Sequence, residues 1–165
     1  MLKRIGLLVV PMLALATTIQ AEDEDGWSVY RSEDYGFGML SPTKLELEEK
    51  EWKGGWAGFE GEYEGMRLYA IAKTEKVTPE EIEKFGVKIS KIGEDHWTLI
   101  DEGEDDENGW AWYRAYKASH DGKVAYAGLG VGPKGSYLLM ITTSDLDDAI
   151  YADDYAKWYT TLSVF

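Results

Sequence analysis

The residue types that could do chemistry in this chain are few and scattered. Ser119-His120-Asp121 contains the three side-chain types of a hydrolase relay, and His96 stands beside Asp95. These are the two histidines of the chain. A relay needs its members to converge from different elements, so three consecutive residues cannot form one. Ser119-His120-Asp121-Gly122 reads instead as a hairpin turn, and His96 as a structural residue ahead of a strand. Two histidines without cysteine leave a zinc site to be completed by carboxylates. Gly128-x-Gly130-x-Gly132 resembles a nucleotide loop only in outline. A dinucleotide loop joins a strand to a helix, whereas these glycines alternate within a strand and another strand follows. They form a flat stripe, beside Val124 and Tyr126, able to accept a closely packed helix or aromatic rings such as Trp110 and Trp112.

Two further groups are candidates for binding. Asp101-Glu102-Gly103-Glu104-Asp105-Asp106-Glu107-Asn108 reads as an acidic loop. Oxygen ligands on a flexible loop suit Ca²⁺, which makes Asp101, Glu102, Glu104, Asp105 and Asp106 a candidate calcium site, although EF-hand spacing is absent. Trp52, Trp56 and Tyr63 are candidate partner-binding aromatics. Trp52 lies among Glu49, Lys50, Glu51 and Lys53 beside two glycines, a setting in which an exposed ring can anchor a partner.

The chain that positions these residues begins with an export address. Met1-Leu2-Lys3-Arg4 is basic, Ile5–Ile19 is uncharged and apolar, and Gln20-Ala21 precedes Glu22-Asp23-Glu24-Asp25. That order is a secretory signal peptide over 1–21, and its apolar run Ile5–Ile19, 15 residues, is too short for a spanning helix of roughly 20. It predicts a periplasmic or secreted protein without a stable membrane anchor after cleavage. Residues 22–26 form an acidic leader and 27–165 one domain. Cleavage leaves 144 of 165 residues, with 15 basic against 31 acidic side chains, a net charge of −16. Such a surface repels nucleic acid and anionic lipid and favours cations or basic partners. The absence of cysteine excludes disulfides and thiol chemistry, so the domain rests on its core.

The pattern of elements is mixed. Trp27–Arg31 and Phe37–Leu40 read as a hairpin, and Leu45 and Leu47 alternate with charge over Lys44–Glu49 as a short strand does. In Trp56–Glu64, Ala57, Phe59, Gly61 and Tyr63 share one face, and Met66–Lys73 runs back. Thr78-Pro79-Glu80-Glu81 is a helix start with a capping box; Ile82, Phe85, Ile89 and Ile92 supply its apolar stripe, weakened by Gly86. Strands Trp97–Ile100, Trp110–Ala118, Lys123–Val131 and Tyr137–Thr143 follow. Ser144 caps a terminal helix whose stripe is Tyr151, Tyr155, Trp158, Leu162 and Phe165. The expected architecture is α+β: an antiparallel sheet with one mid-chain helix and a C-terminal helix packed on it.

Two stretches give this order a family resemblance. Tyr30-Arg31-Ser32-Glu33-Asp34-Tyr35-Gly36-Phe37 followed by Ser41-Pro42, and the closing Tyr155–Phe165, resemble the ends of the PsbP-like family, whose fold is shared by a photosystem II extrinsic subunit and a Ran-binding import factor. The resemblance covers the ends in sequence and the middle only in element order. It implies an accessory or binding protein rather than an enzyme, supplies no catalytic residue set, and carries no photosystem role to this chain. The sequence therefore reads as an exported, non-enzymatic binding or accessory protein of the bacterial cell envelope with a protein partner and no cofactor. A weak calcium-binding module or a carboxylate-dependent hydrolase are the alternatives.

Overall fold

Thr78 begins the first helix as its spacing predicts. In the computed structural model, which describes residues 26–165, its hydroxyl accepts from Glu81 N at 3.3 Å, and α1 (Pro79–Ser90) ends at Lys91 in the left-handed region. Gly86 sits where α1 approaches the sheet: a Cβ there would lie 3.0 Å from the Trp97 ring and 3.5 Å from Leu138. The residue that weakens the helix locally is thus what permits its close docking.

The strands are β1 (Trp27–Ser32), β2 (Phe37–Pro42), β3 (Glu48–Trp52), β4 (Trp56–Tyr63), β5 (Met66–Lys73), β6 (Trp97–Asp105), β7 (Trp110–His120), β8 (Lys123–Gly132), β9 (Gly135–Ser144) and β10 (Ser163–Val164). Seven form one antiparallel sheet in the order β3-β4-β5-β9-β8-β7-β6, and β1-β2-β10 form a second. The hairpin turns Glu64-Gly65 and Asp121-Gly122 place both central residues at positive φ, the geometry that matches strand twist.

Each face of the large sheet carries its own core. On one, α1 sets Ile82 and Phe85 against Ile71, Leu129, Leu138 and Met140. On the other, α2 (Asp145–Tyr159) and the small sheet set Tyr155, Trp158 and Phe37 against Leu68, Leu139 and Ile141. This is the expected α+β arrangement, with a second small sheet added. The export signal and nearly all of the acidic leader lie outside the described residues.

Four local expectations are corrected. The third strand is Glu48–Trp52, while Leu45 and Leu47 precede it and pack on the α2-side core. The acidic stretch is not a loop: β6 continues through Asp105, and the turn is confined to 106–109. It forms one edge of the large sheet, as the charged β3 forms the other. Charges along an unpaired edge discourage pairing with a second chain. The terminal helix stops at Tyr159, and Ser163 and Val164 pair with Gly38 and Phe37.

The fourth correction concerns the glycine stripe. Trp110 covers Gly130 and meets Tyr137 edge-on, but Trp112 packs on the opposite core. Between Gly103↔Tyr113 and Asp105↔Trp110 strand β7 advances three residues against two in β6. A bulge of this kind inverts the alternation of side chains. A Cβ on Gly130 would stand 2.2 Å from the Trp112 carbonyl oxygen and 3.0 Å from the Trp110 ring. Gly130→Ala is expected to cost about 1–3 kcal/mol through overpacking against backbone. Urea unfolding checks it, and an unchanged midpoint contradicts the packing role.

Candidate functional site

A cleft of about 570 Å³ opens where four parts of the chain meet. Gly26 and Trp27 at the start of β1 form one lip. Pro42, Thr43 and Lys44 after β2 form the next. Tyr63, Glu64 and Met66 come from the β4–β5 hairpin, and Tyr151, Asp154 and Tyr155 from α2.

Local chemistry fixes each part. Thr43 N donates to Gly26 O at 2.9 Å and Leu45 N to Pro42 O at 2.9 Å, closing the first two lips. The tip of the β4–β5 hairpin rests on the start of α2: a Cβ at Gly65 would meet Asp147 Oδ2 at 2.7 Å. Helix α2 starts from Ser144, whose hydroxyl accepts from Asp147 N at 3.1 Å. It bends at Tyr151, where φ −112° and ψ 16° interrupt the helix, so its middle turns along the cleft. Tyr155 is the buried wall, and its hydroxyl donates to Thr143 Oγ1 at 3.1 Å. Burial, then the neighbouring Glu64 carboxylate, holds the Tyr63 phenol above its ordinary range.

Among the described residues, none lining the cleft is a histidine, and there is no cysteine in the chain. What the cleft offers is ring surface from Trp27, Tyr63 and Tyr151 over the buried Tyr155, with two carboxylates and one ammonium. That set stacks, hydrogen-bonds and attracts cations.

The three partner-binding candidates do not converge. Tyr63 lines the cleft. Trp56 is 3 % exposed and stacks on Phe85 at 4.6 Å between ring centroids, so it has no free face for a partner. Trp52 is half-buried and leans on the same α1-side core, with Lys50 Nζ 5.8 Å from its ring. Trp56 and Tyr63 are seven residues apart on one strand, and an odd separation puts them on opposite faces.

The five calcium candidates are likewise divided. Strand β6 carries an extra residue at Ile100, so Asp101 and Asp105 face the α2 side while Glu102 pairs across with Arg114 on the α1 side. Asp101 accepts from the Tyr113 hydroxyl at 2.9 Å. Asp105 accepts from Asn108 N and Nδ2 at 3.1 and 2.8 Å, which holds its carboxyl below the ordinary range. Glu102 accepts from Arg114 Nε at 3.2 Å, Glu104 lies on the strand beyond it, and Asp106 is in the turn. Among the described residues no three acid or histidine side chains gather as metal ligands do.

Tertiary structure also joins what sequence kept apart. His96 and His120 stack with centroids 3.8 Å apart, each beside its own neighbour, Asp95 or Asp121. Arg114 and Tyr116 both converge on Glu83, at 2.8 and 2.6 Å. Among the described residues, Leu146 and Ile150, one turn apart on α2, are the most exposed large apolar side chains. Sequence reading missed Trp27, Lys44 and Asp154 as cleft residues and placed Tyr151 and Tyr155 in a packing stripe. The one signal available was aromatic abundance near charge, which does not say which rings meet.

No protein-family model matches the chain, and no curated protein matches it in sequence. The fold does have a solved counterpart. The solution structure of the cyanobacterial PsbP (CyanoP) from Synechocystis sp. PCC 6803 aligns with TM-score 0.58 over 91% of this chain and 99% of that one, at 12% identity. The chain therefore has a PsbP-like fold, as the resemblance of its two ends implied.

Proposed function

We propose that this PsbP-like domain is an exported, non-enzymatic binding or accessory protein of the bacterial cell envelope that holds a protein partner at the Trp27–Tyr63–Tyr151 cleft. The observation that carries the reading is the cleft itself. It is of a size at which binding sites commonly occur, and it is walled by four aromatic side chains on elements fixed by both sheets and α2. Aromatic anchors of this type dominate protein interfaces. The signal-like residues 1–21 and the net negative charge support an extracytoplasmic setting and a partner that is not nucleic acid.

The test is photo-cross-linking in cells that make the full chain. A benzophenone amino acid at position 63 or 151 should capture one and the same partner, and at Lys53, in the distant β3–β4 turn, it should not. Capture from position 53 with none from 63 and 151 overturns the cleft as the binding site. The same material, recovered outside the cytoplasm, should begin at Glu22; an N-terminus at Met1 overturns export with cleavage.

A further inference from the structure

We infer that the cleft selects a cationic side chain, an arginine or lysine on an exposed segment of the partner. This rests on the cleft being the binding site and names the chemistry it recognises. The rings provide electron-rich faces, and a cation over such a face is attracted by the ring quadrupole. Among the described residues the rim adds Glu64 and Asp154 against one ammonium, Lys44, so carboxylates outnumber ammonium groups there.

An anionic ligand is repelled by those carboxylates, and a neutral apolar one would leave them without a partner.

The protein already uses this chemistry internally, on the same helix. Lys117 Nζ lies 4.9 Å from the Tyr126 ring centroid and 3.0 Å from Asp148 Oδ2. Arg31 stacks on Phe165 with its guanidinium carbon 3.4 Å from the ring centroid. The cleft offers the same ring-and-carboxylate chemistry, with Lys44 the one cationic side chain among the described residues that line it.

The experiment is amide and indole NMR titration of the protein, expressed from the full chain, with two probes: an acetylated, amidated Gly-Arg-Gly peptide and its citrulline counterpart, which keeps the shape and removes the charge. The arginine peptide should give saturable shifts at Tyr63, Tyr151 and the Trp27 indole, and bind about 5-fold or more tightly than the citrulline peptide. Combined Glu64→Gln and Asp154→Asn should reduce arginine binding to the citrulline level, and added salt should weaken it. Equal binding of the two peptides, or unsaturable shifts spread over the acidic surface, overturns the inference. If Tyr151→Ala abolishes cross-linking from position 63, and Tyr63→Ala that from position 151, while the two amide substitutions leave it intact, the cleft stands as the binding site and its charge selectivity falls. If the tyrosine substitutions leave cross-linking intact, both fall.

Discussion

Replacing Trp158 by alanine should remove about 3–5 kcal/mol of stability, the usual cost of deleting a buried aromatic ring. Folded domains hold only about 5–15 kcal/mol in total, so much of the protein should be unfolded or degraded at growth temperature. Trp158 is fully buried in the core between α2 and the large sheet. Its own carbonyl also ends the helix, accepting from Thr161 N at 3.1 Å and Thr161 Oγ1 at 2.8 Å. The Thr161 hydroxyl in turn accepts from Leu40 N at 3.1 Å, tying α2 to the small sheet. The substitution keeps those backbone groups and removes the ring that positions them. Trp158→Phe should cost less than Trp158→Ala, because the ring volume is partly kept and the buried indole N–H, which has no hydrogen-bond partner among the described residues, is removed. Urea unfolding followed by circular dichroism measures both. A loss under about 1 kcal/mol for the alanine variant contradicts the central role of this ring.

The second large effect is alkaline unfolding. Burial pushes the Tyr137 phenol up to about 12, from an ordinary 10; its hydroxyl donates to Tyr35 O at 2.9 Å. Tyr30, Tyr35 and Tyr116 are also raised to about 12, by burial first and then by the carboxylates of Glu49, Glu49 and Glu83. Between pH 10 and 12 the unfolded chain has released these protons and the folded chain still holds them. The folded state therefore binds more protons, and its stability falls as pH rises. The contribution is complete below pH 10 and gone above about 12. For Tyr137, two pKa units correspond to about 2–3 kcal/mol. The other three are partly exposed, and solvent screening makes each contribute less. Lys73 and Lys117, held above the ordinary ammonium range by hydrogen bonds to Glu81 and Tyr126, act in the same direction. The urea midpoint should drop steeply across this interval, with tyrosinate absorbance rising as unfolding proceeds. Tyr137→Phe should flatten part of the drop. A midpoint constant from pH 10 to 12, or tyrosinate forming fully before unfolding, contradicts the assignment.

Trp110 shows how far sequence can carry such an argument. Its type and its place near the glycine stripe suggested an aromatic ring over Gly130, and the ring is there. The same reasoning gave Trp112 the same face, and one bulge in β7 sent it to the other. The acidic residues of 101–105 were legible as charged. Their role as a charged sheet edge was not, because edge position is a property of strand order.

Sequence by itself determined what is decided within a few residues: the Thr78 and Ser144 caps, the Asp121-Gly122 turn, the alternating strands, the α+β class, the acidity and the absence of thiols. These follow from local backbone preferences and side-chain periodicity, which neighbouring residues set together. Only tertiary structure decided that Trp27, Lys44, Tyr63 and Tyr151 line one cleft, that α2 stops at Tyr159 so that Val164 can join β2, and that His96 lies on His120. Each of these depends on register and bulges summed along the chain. A single inserted residue exchanges the two faces of a strand, and no local pattern records that sum.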